Sequence, residues 1–216
     1  MSLTDRNMIH IWIGPKPQPM KWMETWRLKH PEWKYFVYTD AMYRCRTWKN
    51  HHLMKHYYDQ GKFNGVADLM RYELLYEMGG FVPPADSICH HPIDELLTED
   101  EHFCYGVYES ERLRPGLVSP IYAANKENKF VGMLIDKLHQ LSPSDLNPSP
   151  WRSTGNLFIK NMIETHEPDI KIWPSHYFIP KHHDPSSSRY NGPDRIYADQ
   201  MWGSTPGGND YESGRK

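Results

Sequence analysis

Short apolar runs and helix-period stripes alternate along the first half of the chain. Met8 to Ile13 (MIHIWI) is β-branched and apolar and is closed by Gly14-Pro15, which predicts a buried first strand. Pro19 to His30 carries Trp22, Met23 and Trp26 at helical spacing, with Pro31 as the stop. Trp33 to Thr39 (WKYFVYT) predicts a second strand, and Asp40 follows at its end. Ala41 to Gln60 is loosely patterned but reads as one helix, marked by Cys45, Trp48, Leu53 and Met54. Val66 to Met78 places Ala67, Met70, Leu74 and Met78 on one stripe, with Asn64 as N-cap and Asp68 in the first turn. Gly79-Gly80 stops that helix, Phe81-Val82 starts a strand, and Pro83-Pro84 ends its pairing. Asp86 is thereby placed just past a strand end, the edge at which open α/β sheets bind ligands.

The second half continues the alternation. Pro92 to Leu97 predicts a short helix, Phe103 to Tyr108 and Leu117 to Ala124 strands, and Asn128 to Leu141 a helix striped by Phe130, Leu134, Ile135 and Leu138. A Pro/Ser loop, Ser142 to Pro150, leads through Trp151–Gly155 to a helix over Asn156–His166. Ile170 to Trp173 and His176 to Ile179 read as short strands. Lys181 to Pro193 reads as a loop that orders on binding an acceptor, and Ile196 to Ser204 as a closing strand. No internal repeat and no linker divides the chain.

Composition narrows the function classes. A chain of 216 residues suffices for one α/β domain with a core. The net charge of −2, without a basic block, argues against a nucleic-acid surface. Eight Trp and fourteen Tyr make the chain aromatic-rich, which suits both a core and a platform for sugars or bases. Three cysteines, Cys45, Cys89 and Cys104, form no disulfide framework and read as free thiols of a reducing, cytoplasmic compartment. No apolar run approaches membrane-spanning length and Met1 to Asn7 is polar, so neither a span nor a signal peptide is expected. His52 and His56 lie one helical turn apart, and Cys89-His90-His91 is a second cluster; neither finds further ligands at zinc-site spacing.

The stretch VADLMRYELLYEMGGFVPPAD, Val66 to Asp86, resembles the DXD-motif sugar transferases of glycosyltransferase family thirty-two, a family of yeast-type initiating mannosyltransferases and capsule or lipopolysaccharide transferases. It resembles the clostridial glucosylating toxins more distantly. The family pattern A-D-x-x-R-Y-x-x-L-x-x-x-G-G-x-Y-x-D-x-D is met by Ala67, Asp68, Arg71, Tyr72, Leu75, Gly79, Gly80 and Asp86. Its tyrosine falls on Val82 and its first DXD aspartate on Pro84, so the motif reads Pro84-Ala85-Asp86. Other segments match in part: the first strand, Tyr38-Thr39-Asp40, Thr154-Gly155, and Tyr197, Ala198, Trp202 and Ser204. Ser119-Pro120 stands where the family usually has an asparagine.

The resemblance implies an α/β fold, a single GT-A-type domain with a Rossmann-like mixed sheet flanked by helices, over residues 1–204, followed by a flexible tail at 205–216. It implies a retaining glycosyltransferase that takes a UDP- or GDP-sugar and a glycan, lipid-linked or protein acceptor, with front-face attack that needs no enzymic nucleophile. Asp86 would hold Mn²⁺ or Mg²⁺, with Asp199 or Gln200 completing the site, where the family has a histidine or an acid. Asp68 and Arg71 would bind the donor sugar and its phosphates. Trp12 would stack on the donor base, with Asp40, Tyr72, Gly80 and Trp202 also on the donor. The plainer readings stand beside these: Trp12 as a core residue, Asp40 as a helix cap, and Asp68–Arg71 as an i,i+3 surface ion pair. Pro84 and Gln200 at metal-side positions also admit a degenerate domain that binds a nucleotide sugar or glycan without turnover.

Overall fold

The computed structural model describes residues 5–97 and 104–203. Phe103, Ser204 and the expected tail at 205–216 lie outside the described residues. A six-stranded mixed sheet, in the order β2-β1-β3-β6-β5-β7, forms the centre. Its strands are β1 (Asn7–Ile11), β2 (Lys34–Tyr38), β3 (Gly80–Phe81), β5 (Cys104–Ser110), β6 (Arg114–Ala124) and β7 (Lys171–Trp173). β1 is parallel to β2 and β3, β5 is parallel to β7, and β6 runs antiparallel to both β3 and β5. The carboxyl ends of β1, β2, β3, β5 and β7 therefore share one edge. A separate two-stranded ribbon pairs β4 (Ser87–Cys89) with β8 (Ala198–Gln200).

All five residues of β1 are buried, as expected for a strand covered on both faces. Alternation sends Met8 to one core and Ile9 and Ile11 to the other. The Ile9 side packs against α3 (His51–Asp59), α4 (Phe63–Met78), α5 (Lys129–His139) and α7 (Asn156–His166), which follows the single turn α6 (Pro150–Ser153). The Met8 side packs on Trp26 of α1 (Met20–Lys29) and on Phe81, Tyr122, Trp173 and Phe178. His10 is fully enclosed, and burial lowers its pKa to about 3, so it is neutral.

Several expected elements change. The helix over Ala41–Gln60 divides into α2 (Asp40–Cys45) and α3, because Glu73 of α4 accepts hydrogen bonds from the N–H groups of Lys49 (2.8 Å) and Asn50 (2.9 Å). Trp48 Nε1 also donates to Tyr43 O at 2.8 Å, so side chains satisfy the backbone where a helix ladder would have run. α4 starts at Phe63, so Asn64 lies within its first turn and caps nothing, and Asp68 sits past that turn. Pro92–Leu97 forms only a 3-10 turn at Asp94–Leu96. His176–Ile179 likewise carries a 3-10 turn, Ser175–Tyr177, since Phe178 and Ile179 donate back to Ser175 O instead of across a sheet. The 181–193 segment is a loop, as expected, and His182 within it is buried. Asn128 caps α5 through its side chain, which accepts from Phe130 N and Val131 N. Among the described residues no helix is long and apolar enough to cross a membrane, and the three cysteines are free.

Candidate functional site

A cavity of about 600 Å³ opens at the carboxyl edge of the sheet. Two sets of elements line it. One is built by the residues after β1 (Trp12, Ile13, Pro15, Lys16), by α4 (Phe63, Asn64, Ala67, Asp68, Arg71) and by the Pro84–Asp86 turn. The other is built by Glu109 of β5, Ser119, Pro120 and Tyr122 of β6, Trp151, Asn156, Gln200 and Trp202.

Asp86 is held from several directions. Gly79 and Gly80 end α4 and start β3 with φ of +63° and +114°. A Cβ at Gly80 would lie 2.2 Å from Asn7 O, so only glycine lets β3 approach β1 at that point. Ser87 Oγ donates to Pro84 O at 2.6 Å and closes the turn around Asp86. Trp26 Nε1 donates to Ser87 Oγ at 3.0 Å, so α1 braces the same turn from the core. Met201 N donates to Asp86 O at 2.8 Å, and Gln200 Nε2 donates to Asp86 Oδ1 at 2.8 Å.

β8 alternates as a strand must. Gln200 turns to Asp86, whereas Asp199 turns away and is taken by Arg189 Nη1 at 2.8 Å and His90 Nε2 at 3.1 Å. Of the two residues expected to complete a metal site, Gln200 is therefore the one beside Asp86, and Asp199 does not line the cavity. Gln200 Oε1 is buried with no hydrogen-bond partner. A carboxylate next to an unsatisfied amide oxygen is a donor set that fits a hard divalent cation such as Mg²⁺ or Mn²⁺, completed by phosphate and water oxygens.

Asp68 and Arg71 are one helical turn apart, and Arg71 Nη1 donates to Asp68 Oδ1 at 3.1 Å. This is no surface pair, because the side chains are 12% and 11% exposed. Burial raises the Asp68 pKa to about 6, against the opposing pull of Arg71 and the Thr154 hydroxyl. Arg71 Nε is buried without a partner, which leaves one guanidinium donor available to a ligand.

Other expected site residues have supporting places. Tyr72 does not reach the cavity; it is fully buried and donates to Thr154 O, beneath the Thr154 hydroxyl that approaches Asp68 Oδ2 at 3.4 Å. Asp40 opens α2 but also lies off the cavity. It accepts from Gly14 N at 3.1 Å and Tyr58 Oη at 2.6 Å, fixing the loop after β1. Gly80 acts through the strand approach described above. Trp12 and Trp202 do line the cavity; Trp12 Nε1 donates to Lys16 O at 2.6 Å and Trp202 Nε1 to Lys181 O at 3.0 Å. His52 bonds Leu141 O, and His56 faces Gln60.

The sequence reading missed Glu109, Asn156 in its side-chain role, and His182. Asn156 Nδ2 donates to Glu109 Oε2, and His182 Nε2 lies 2.9 Å from Glu109 Oε1. Glu109 stands at the carboxyl end of β5, the same signal that marked Asp86, but no family motif covers it.

Known proteins resemble this chain in sequence and in fold. Residues 17–103 match the family model described as a glycosyltransferase sugar-binding region containing DXD motif. Inositol phosphoceramide mannosyltransferase 2 of Schizosaccharomyces pombe is 26% identical over 151 residues, covering 68% of this chain and 42% of that protein. The chain thus spans less than half the length of that relative. Among solved structures, the PaToxG glycosyltransferase superposes with a TM-score of 0.58 at 13% identity, over 74% of this chain and 68% of that one. The UDP-bound glycosyltransferase domain of the YGT toxin superposes at 0.53 and 10% identity, over 77% and 79%. The resemblance carried by Ala67–Asp86 to DXD sugar transferases holds, and the fold is that of GT-A glycosyltransferase domains.

Proposed function

We propose that this chain, a GT-A fold with a DXD-family sugar-binding region, transfers a sugar from a nucleotide-sugar donor to a carbohydrate-bearing acceptor with retention of anomeric configuration. The observation that carries this reading is the pairing of two buried, unsatisfied polar atoms in residues that line one cavity: Arg71 Nε beside Asp68, and Gln200 Oε1 beside Asp86. An unpartnered buried donor or acceptor is costly, and a ligand that satisfies both recovers that cost. A sugar diphosphate offers hydroxyls and anionic oxygens to meet them.

Leaving-group departure builds negative charge on the diphosphate and positive charge on the sugar. A divalent cation held by Asp86 and Gln200 would supply charge stabilisation for the leaving diphosphate. Arg71 donates from its planar fork to donor oxygens, and Asp68 accepts from sugar hydroxyls. Trp12 offers a ring to the base at the end of β1. With no committed nucleophile, the acceptor attacks from the leaving-group side and the diphosphate takes its proton.

Pro84 at the first DXD position favours a second reading, a domain that binds a nucleotide sugar without turnover. Thermal unfolding with UDP, GDP, CDP or dTDP, each with and without Mn²⁺, tests the donor class. A ligand at about a hundredfold over its Kd adds roughly 2.7 kcal/mol, a rise of about 5–10 °C for a domain of this size. A Mn²⁺-dependent rise with one base, together with release of that diphosphate from its sugar donor and an axial or equatorial product matching the donor by NMR, supports retaining transfer. A rise without release supports the binding domain.

A further inference from the structure

Glu109 is the third carboxylate of the cavity wall, and the donor chemistry above makes no use of it. It closes β5 at the same sheet edge as Trp12 and Asp86. Its side chain is 12% exposed, reachable from the cavity but largely out of water. Both oxygens are fixed from distant segments: Oε2 by Asn156 at the start of α7, and Oε1 by His182 of the 181–193 loop. His182 is itself oriented. Asp184 N donates to its Nδ1 at 3.0 Å, which assigns the ring proton to Nε2 and aims it at Glu109. Trp202 packs against the same ring, with centroids 5.2 Å apart.

A carboxylate has about four lone-pair sites, and two are engaged here. What remains only accepts hydrogen bonds, so it suits an uncharged O–H and opposes phosphate. The cationic and aromatic residues for a nucleoside diphosphate, Arg71, Lys16, Trp12 and Phe63, come from α4 and the loop after β1, not from β5 or α7. The two sets nevertheless converge. Thr154 Oγ1, two residues before Asn156, lies 3.4 Å from Asp68 Oδ2, and Gln200 Nε2 lies 2.8 Å from Asp86 Oδ1.

We propose that Glu109, positioned by Asn156 and His182, accepts the hydrogen bond of the incoming acceptor hydroxyl and makes the β5–α7 wall the acceptor side of the cavity. The inference rests on the transfer reading above. In the step it serves, the acceptor oxygen bonds to the anomeric carbon as the bond from that carbon to the diphosphate breaks, and the hydroxyl proton leaves with the diphosphate. Glu109 orients the O–H and retains no proton. The wall selects an acceptor whose reacting group is a neutral hydroxyl, not one flanked by phosphate or carboxylate.

The test uses the full chain with Mn²⁺ and either UDP-glucose or GDP-mannose, with water or methyl glycosides as the incoming hydroxyl. Glu109→Gln should lower diphosphate release about 10- to 100-fold, the loss expected for a hydrogen bond to a charged group, while donor Kd by titration calorimetry stays within about threefold. His182→Ala should lower release about tenfold, and His182→Gln, which restores an N–H donor, should recover most of it. That pair keeps the inference open to test if Glu109→Gln unfolds. Unchanged release in Glu109→Gln, a donor Kd that weakens in step with release, or equal loss in both His182 variants would overturn the assignment. A wild-type protein that binds a nucleotide sugar yet releases no diphosphate with any of these probes would overturn the transfer reading itself, and this inference with it.

Discussion

Asp68 and Glu109 are both nearly buried carboxylates facing one cavity, and the fold restrains them in opposite ways. Asp68 takes its cation from its own helix, three residues on, and stays costly to ionise despite that partner. Glu109 takes neutral donors from two elements 47 and 73 residues away in the chain. The first arrangement leaves a charged pair with spare donors, ready to be completed by a ligand. The second fixes the direction of a carboxylate before any ligand arrives. Asp86 combines both, with a local turn through Ser87 and Pro84 and a distant amide from Gln200.

The largest effect that would sharpen this contrast is at Asp86. Asp86→Ala should lower transfer by about 10²- to 10³-fold, the several kcal/mol expected from losing a charge-stabilising ligand, with the melting profile retained. Gln200→Ala, which removes a neutral oxygen, should cost only about tenfold. Equal losses in a single-turnover assay would mean that Asp86 and Gln200 share the proposed leaving-group role evenly.

Next is a pH effect specific to Asp68. Its folded pKa, about 6, lies above the ordinary carboxylate value, so the folded chain binds this proton more tightly than the unfolded chain does. That contribution to stability is complete below the unfolded pKa and is lost as pH rises through about 6. Relative to Asp68→Asn, wild-type unfolding free energy should fall by about 3 kcal/mol between roughly pH 3 and pH 7, measured by urea titration at each pH. Parallel curves for the two proteins would show that Arg71 fully compensates the burial. The smallest effect is Arg71→Lys, which keeps the charge and loses the fork. Donor Kd by calorimetry should weaken about tenfold, and an unchanged value would reduce Arg71 to a partner of Asp68.

Local pattern carried the α4 wall into view. Asp68, Arg71, the double glycine and Asp86 lie within 19 residues of one another, where helical spacing and strand-end logic apply directly. The strands β1, β2, β5, β6 and β7 were legible from apolar runs for the same reason. The split between α2 and α3 was not, because the deciding group, Glu73, lies more than twenty residues downstream of the break. The choice between Asp199 and Gln200 required strand register, since each is one residue from the other and only pairing with β4 decides which turns inward. Glu109, Asn156 and His182 meet only after the sheet has closed, so no window of sequence held them together.

Gly80 gives the cavity a fixed gauge. With Asn7 O where a Cβ would sit, the separation of β1 from β3 is set by main-chain atoms in contact. Trp12 continues from one of those strands and Asp86 from the other. In the donor placement proposed above, the span between a base on Trp12 and a diphosphate near Asp86 is thus ruled off by backbone thickness. Side-chain drift elsewhere can retune which sugar fits without lengthening or shortening that span, whereas one methyl group at position 80 would alter it for every donor at once.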